Sequence, residues 1–323
     1  MTISGGSEVI CVYEVASDSS PESDSSHREF RGVAACCGAF WAYGDGVLLL
    51  SFDGVHWRDL TGELDILEPF SVSAVVGDEN GAFIFARNKN GLNCYHLARD
   101  TWKCSQLPSL PTPSPGALAV RIGAALVACV KQDARIRFMQ FRDADRAWKL
   151  LPASLDGVAV HFELSASGCG VCALWGIERE DGVALPSPSA VYRTQDGGIS
   201  WIKVQEIDTM LLGGAAGDGG VTLLGGTDGY LAVETVAGFQ NCNQPSTDEI
   251  AGVASGRAQQ AAVLASLERA PSQTLLWRSS SPEWRRFELG AMERIVAIGF
   301  VRFGFVVLCT RRSLFSYGIE LVQ

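Results

Sequence analysis

The sequence predicts an all-β protein built as one β-propeller, and three observations predict it. Tryptophans recur at a near-constant interval, each opening a short segment. Between them the chain divides into four strand-like runs. The two ends of the chain each supply part of one further unit. Trp57, Trp102, Trp148, Trp201 and Trp284 open "WRDL", "WKCSQL", "WKLL", "WIKV" and "WRRFEL", at intervals of 45, 46, 53 and 83 residues. The last interval is nearly two periods, and Phe239 ("FQNCN") stands inside it where another copy is expected.

Each unit then follows in order. In the second, "SVSAVVGD", "GAFIFARN", "LNCYHLA" and "TWKCSQL" are separated by Gly/Asp/Asn-rich turns. In a later unit the same four appear as "IAGVASG", "AAVLASL", "TLLWRSS" and "EWRRFEL". First strands are rich in Ala, Gly and Val, as strands crowded around an axis require. The last unit has only three strands, "RIVAIGFV", "FVVLCT" and "LFSYGIELV", and the N-terminal "EVICVYEV" (8–15) is free to be its fourth. Such closure pairs the first and last elements and removes an open edge. The expectation is a single domain over 1–323 with seven four-stranded blades. Six or eight stay open because the Phe239 unit is weak. Residues 17–29 are predicted to form an acidic, Ser-rich loop and 176–190 a long inter-strand loop.

Composition agrees with a packed, turn-rich protein: 47% hydrophobic, 19% charged, 35 glycines and 12 prolines. The start lacks a basic segment followed by a continuous apolar one, and "IVAIGFVRFGFVVLC" is interrupted by Arg302, so a cytoplasmic protein without a membrane span is expected. The ten cysteines lack a small-domain spacing and suit reduced thiols. A formal charge of −10 disfavours nucleic acid and favours a basic partner.

The stretch "TQDGGISW" (194–201) places Thr194, Asp196, Gly198 and Trp201 at the spacing T-x-D-x-G-x-x-W, and "SFDGVHW" (51–57) repeats it one residue short, with Asp53 and Trp57. The pattern resembles the Asp-box, or BNR, repeat of sialidases, sortilin-type receptors and photosystem assembly factors. "ARDTW" and "RDADRAW" keep only the Asp and Trp, and "SSSPEW" the Ser and Trp. The chemistry read from the residues is structural. Asp196 accepts from backbone N–H groups in a turn between third and fourth strands, Gly197 and Gly198 allow positive φ, and Trp201 buries its ring between blades. The resemblance implies that this turn lies on the face away from the usual active site.

For the sialidases, the resemblance implies three arginines on a carboxylate, a Tyr–Glu nucleophile, an Asp acid/base and an early x-R-x-P motif. Here "EFRGV" (29–33) has Arg31 without the proline, the other inner-strand arginines are scattered (Arg121, Arg257, Arg302), and no tyrosine has a nucleophile context. No catalytic residue is therefore assigned. No metal and no cofactor are expected either. In "CGVC" (169–172) the cysteines are three apart on a predicted strand and so face opposite ways, "CC" (36–37) meets the same objection, and the four histidines are dispersed. "GGAAGDGG" (213–220) is followed by a strand rather than a helix and Lys, so it reads as a hairpin turn.

The distinctive feature is charge. Loops joining one blade's fourth strand to the next blade's first share a face, and here they hold Asp18, Glu22, Asp24, Glu29, Glu63, Asp65, Glu68, Asp156, Glu206, Asp208, Asp248, Glu249, Glu288 and Glu293, against Arg28. Loops between second and third strands share that face and are charge-mixed. One reading is ordinary solvation of an acidic protein. The sharper one is an acidic collar for a basic protein partner, with a bacterial immunity protein that neutralises a cognate toxin as one version. An assembly factor is a second version. A glycan-active enzyme, or a lectin with Trp41 or Trp175 lining the axial funnel, is the alternative class.

Overall fold

A computed structural model describes residues 9–15, 28–63, 69–101, 103–110, 114–132, 135–180, 183–216, 221–235, 238–242, 248–256, 259–265, 273–278, 283–289, 292–301 and 305–318. Every regular element among them is a strand, and the 28 strands form seven four-stranded antiparallel blades. Blade 1 holds β2 (Glu29–Cys36), β3 (Ala39–Asp45), β4 (Val47–Ser51) and β5 (Arg58–Asp59). Blade 2 holds β6 (Ser71–Asp78), β7 (Gly81–Asn88), β8 (Gly91–Ala98) and β9 (Cys104–Gln106). One residue pair, Asp45 with Ser71, links these two sheets. Blade 3 runs β10 (Ala117–Ile122), β11 (Ala125–Gln132), β12 (Arg135–Arg142) and β13 (Ala147–Asp156). Blade 4 runs β14 (Val158–Leu164), β15 (Gly170–Glu180), β16 (Val183–Thr194) and β17 (Ile202–Ile207).

Blade 5 comprises β18 (Leu211–Ala216), β19 (Thr222–Gly226), β20 (Leu231–Thr235) and β21 (Gly238–Asn241). Blade 6 comprises β22 (Glu249–Ser255), β23 (Gln260–Ala265), β24 (Gln273–Arg278) and β25 (Arg285–Glu288). Blade 7 takes β26 (Ile295–Val301), β27 (Phe305–Thr310) and β28 (Ser313–Gly318) from the end of the chain and β1 (Val9–Glu14) from its start. β1 lies antiparallel to β28, from Val9 opposite Tyr317 to Glu14 opposite Ser313. The ring is thus closed three-plus-one, as the two incomplete ends of the sequence predict.

The core is divided among the seams. Seven clusters of buried apolar residues occupy the seven interfaces between neighbouring blades. The repeated aromatic explains their recurrence. Trp201, just before β17, stacks on Phe138 of blade 3 with centroids 4.9 Å apart, and Trp148 of β13 tilts against Phe141 and reaches Phe85 of blade 2. Phe239 of β21 is buried against Val171, Val191 and Ile207 of blade 4, the place a tryptophan takes elsewhere. The unit with the weak motif is therefore a complete blade.

One expectation is corrected. Residues 176–190 are not a long loop: β15 and β16 continue as a paired ladder to Glu180 opposite Val183, beyond their neighbours β14 and β17. Pro186 and Ser187 sit within that ladder. A proline tolerates an outer position in a hairpin because it lacks only the N–H that would point away from its partner. The proposed 17–29 loop falls largely outside the described residues.

Candidate functional site

The strand order gives the ring two unlike faces. Inner strands β2, β6, β10, β14, β18, β22 and β26 start at one face, with the connections from fourth to first strands and from second to third strands. They end at the other, with the turns between first and second strands and between third and fourth strands. We call these the loop face and the turn face.

On the turn face, residues 195–201 join β16 to β17. The Thr194 hydroxyl donates to Asp196 Oδ1 at 2.7 Å and accepts from the backbone N–H of Gly198 at 3.1 Å. Asp196 in turn accepts from Ser200 N at 2.9 Å and from the Ser200 hydroxyl at 2.5 Å. Gly197 and Gly198 have φ of 74° and 89°, where a Cβ is disfavoured. The Ser200 hydroxyl, the turn amides and Thr194 lower the Asp196 pKa to about 2. Residues 51–57 make the same network: Ser51 Oγ donates to Asp53, and the Val55 and His56 amides donate to Asp53 Oδ1 at 2.8 Å. His56 Nδ1 lies 2.6 Å from Asp53 Oδ2, and the His56 contacts hold that carboxyl well below the usual range. Trp57 donates from Nε1 to Gly54 O at 3.3 Å and packs in the seam between blades 7 and 1.

Also on the turn face, at the ends of the inner strands, lies a cavity of about 930 Å³. Its apolar wall includes Val75, Val120, Val171 and Leu164, and its polar wall Arg121, Glu163, Arg193 and Glu234. Arg121 is buried, ion-paired to Asp78 at 2.9 Å and to Asp143 at 2.7 Å, and lies 4.7 Å over the Phe83 ring. Arg193 Nη2 donates to Glu234 Oε1 at 2.6 Å. Thr222 Oγ1 is 2.6 Å from Glu163 Oε1 and 2.5 Å from Glu234 Oε2, and His161 Nε2 is 3.4 Å from Glu163 Oε2. Burial raises the Glu163 pKa, but His161, Thr222 and Arg193 outweigh it and hold the carboxyl below its ordinary value. Apart from Arg121, one of the scattered inner-strand arginines, these residues were not singled out from the sequence. The available signal was His161 and Glu163 two apart on the otherwise apolar inner strand "VAVHFEL", a spacing that puts both on one face.

The collar acids gather on the loop face, away from this cavity. Asp65 and Glu68 lie outside the described residues, as do Asp18, Glu22 and Asp24. Glu63 is held by Arg58, Asp156 by Arg135 at 3.0 Å, Glu206 by Lys203 at 2.7 Å, and Glu249 by Arg294. Glu288 accepts from Thr274 at 3.3 Å, and the Asp248 carbonyl from Gly229 N. Among the described residues Asp208, Glu288 and Glu293 are exposed and make no ion pair. The collar is thus partly neutralised by basic residues of its own face.

Arg31 also lies at the loop face, exposed and 2.8 Å from Asp45, far from the cavity. Arg257 and Arg302 are outside the described residues. Trp41 is fully buried in the seam between blades 1 and 2. All ten cysteines are free thiols, as the sequence reading expects; Cys11 and Cys169 are exposed. Cys169 falls in the turn before β15 rather than on a strand, and Cys172 is buried on β15. Among the described residues no three His, Cys, Asp or Glu side chains converge in a metal-binding arrangement. Among the described residues no helix is long and apolar enough to cross a membrane.

The architecture defines the class: a seven-bladed β-propeller. No family profile and no curated protein sequence matches the chain. Solved propellers do resemble it in shape. "YCF48 bound to D1 peptide" aligns with a TM-score of 0.68 at 14% identity, over 98% of this chain and 96% of that one. The GH74 xyloglucanase from Xanthomonas campestris aligns with a TM-score of 0.70 at 13% identity, over 98% of this chain and 54% of the enzyme. The WD40 repeats of RRP9 align at 0.63 and 11% identity, over 97% of both chains. At such identities the likeness is one of fold.

Proposed function

We propose that the protein is a non-catalytic interaction propeller of the cytosol that binds a basic protein partner through its acidic loop face. The observation that carries this reading is the row of acids at the loop face, of which Asp208, Glu288 and Glu293 are exposed and make no ion pair among the described residues. Charge complementarity of this kind speeds encounter and rejects acidic competitors. Glu63, Asp156, Glu206 and Glu249 contribute less, because each already faces a cation. Asp248 adds to the same rim, and Asp65 and Glu68 join them by their position in the sequence. A propeller of similar fold was solved with a peptide bound, which supports the general use of this architecture for holding polypeptide.

A bacterial immunity protein capping a cognate toxin is one version, and an assembly factor is another. The Thr194–Trp201 and Ser51–Trp57 turns are read as Asp-box repeats with a structural role, on the strength of their hydrogen bonds. A sialidase-like enzyme is disfavoured by the distance of Arg31 from the cavity and its pairing with Asp45, and a funnel lectin by the burial of Trp41 in a seam. The test is capture of partners from the native lysate on the tagged protein, with washes of rising salt. A basic protein held near-stoichiometrically and released by salt is the expected result. Capture of no basic protein at low salt would overturn the reading.

A further inference from the structure

We infer that the cavity on the turn face is a binding site for an uncharged aliphatic amide, whose carbonyl oxygen accepts from Nη1 of Arg121. This inference does not depend on the acidic loop face, since the site lies at the opposite end of the ring.

The first argument is an unfilled donor held in place. The Arg121 side chain is only 7% exposed. Its Nε donates to Asp78 at 2.9 Å and its Nη2 to Asp143 at 2.7 Å, while Nη1 is buried with no hydrogen-bond partner. Among the described residues that line the cavity, no other buried side-chain nitrogen or oxygen lacks a partner. The guanidinium is not free to turn and find one. It is planar, two of its three nitrogens are tied to carboxylates, and its Cζ lies 4.7 Å over the Phe83 ring. Asp78 is fixed in turn by the Asn80 amide at 2.8 Å, and Phe83 stacks on His96 with centroids 4.6 Å apart. Buried polar atoms without partners are rare in native proteins, and a donor fixed beside a cavity calls for an acceptor that occupies it.

The second argument is the kind of acceptor that fits. A cation brings donors of its own and leaves Nη1 as it is. An anion is opposed by charge: Asp78 and Asp143 already neutralise Arg121, Glu234 takes Arg193, and Glu163 stands on the same lining. A ligand held by ring stacking is disfavoured too, because no aromatic side chain is among the described lining residues. The apolar wall is aliphatic instead, with Val75, Val76, Val120, Leu164 and Val171. An uncharged carbonyl on an aliphatic body meets these conditions together. An amide also carries an N–H, for which the Glu163 and Glu234 carboxylates are acceptors on the same lining. The volume of about 930 Å³ is that of a small-ligand pocket.

Ligand-observed NMR titration of the full-length protein tests the assignment with four probes. Isovaleramide, isovalerate and isoamylamine share one carbon skeleton and differ in charge, and Nα-acetyl-leucine methylamide carries the amide in peptide form. Both amides should bind, and isovalerate and isoamylamine should bind about tenfold or more weakly, a contrast read on the unaltered protein. Tighter binding of isovaleramide indicates a free small amide as the natural source, and tighter binding of the leucine derivative indicates a polypeptide chain; either supports the site. Arg121→Lys keeps a cation beside Asp78 and Asp143 but removes Nη1, and should weaken both amides about tenfold or more. On the parent, isovaleramide should shift the guanidinium nitrogen signals of Arg121, a readout that does not need the variant to fold. Absence of binding by both amides, equal or tighter binding of isovalerate or isoamylamine, unshifted Arg121 signals, or unchanged amide binding by a folded R121K would each overturn the proposal.

Discussion

Thr194 shows how a single side chain closes a turn. Its hydroxyl is buried, gives its proton to Asp196 and accepts from Gly198 N and Asp196 N, so removing it strips two turn amides of their acceptor and Asp196 of one donor. Thr194→Val keeps the shape and deletes the bonds; it should cost about 1–2 kcal/mol, read from the urea midpoint. Asp196 adds a pH signature. Its pKa falls from 3.8 to about 2, with the Ser200 hydroxyl the largest cause. A depressed carboxylate pKa contributes stability above the unfolded value, and that contribution disappears as pH falls through the folded one. The stability gap between the parent and Asp196→Asn should therefore be present at about pH 5 and close toward about pH 2. An unchanged gap across that window would show that the carboxylate does not support the turn.

At the scale of strands and blades, close approach and aromatic wedges set the geometry. A Cβ on Gly44 would lie 1.9 Å from the Glu29 carbonyl oxygen, so β2 and β3 must separate at their Phe30–Gly32 irregularity to admit any side chain. Gly44→Ala should cost about 3 kcal/mol or more, whereas Gly213→Ala, with nothing within 4 Å, should change stability by less than about 0.5 kcal/mol. Trp201→Ala removes the ring stacked on Phe138 and should cost about 2–4 kcal/mol in the same denaturation assay. These wedges are why the blades were legible: Trp57, Trp148, Trp201 and Trp284 each pack into a seam, and Phe239 keeps the period where tryptophan is lost. The 176–190 segment was misread because its glycine and prolines look like a loop, while the pairing that makes it a hairpin is visible only across the ladder. The cavity was invisible for a related reason. Glu163 and Thr222 are 59 residues apart and meet only after blades 4 and 5 pack.

Closure is a property of the whole ring. Without β1, blade 7 would end on β28 with an unpaired edge, the situation that promotes strand-to-strand association. Deleting residues 1–15 should lower the unfolding temperature and produce concentration-dependent association in light scattering, while the six other blades keep their pairing. Closure also separates two chemistries, a cavity on the turn face and an acidic rim on the loop face. The rim was legible because its acids lie in loops that the propeller order assigns to one side. Its partial neutralisation was not, because Arg135 meets Asp156 only through the pairing of β12 with β13, and Arg294 meets Glu249 only across a seam. The central claim is that the unpaired rim acids hold a basic partner. The most direct measurement compares salt-stepped capture by the parent, by a D208K/E288K/E293K variant, and by the cavity variant E163Q/E234Q. The account predicts that the parent and the cavity variant retain the same basic protein, while charge reversal weakens retention about tenfold or more. Equal retention by the charge-reversed variant would contradict it.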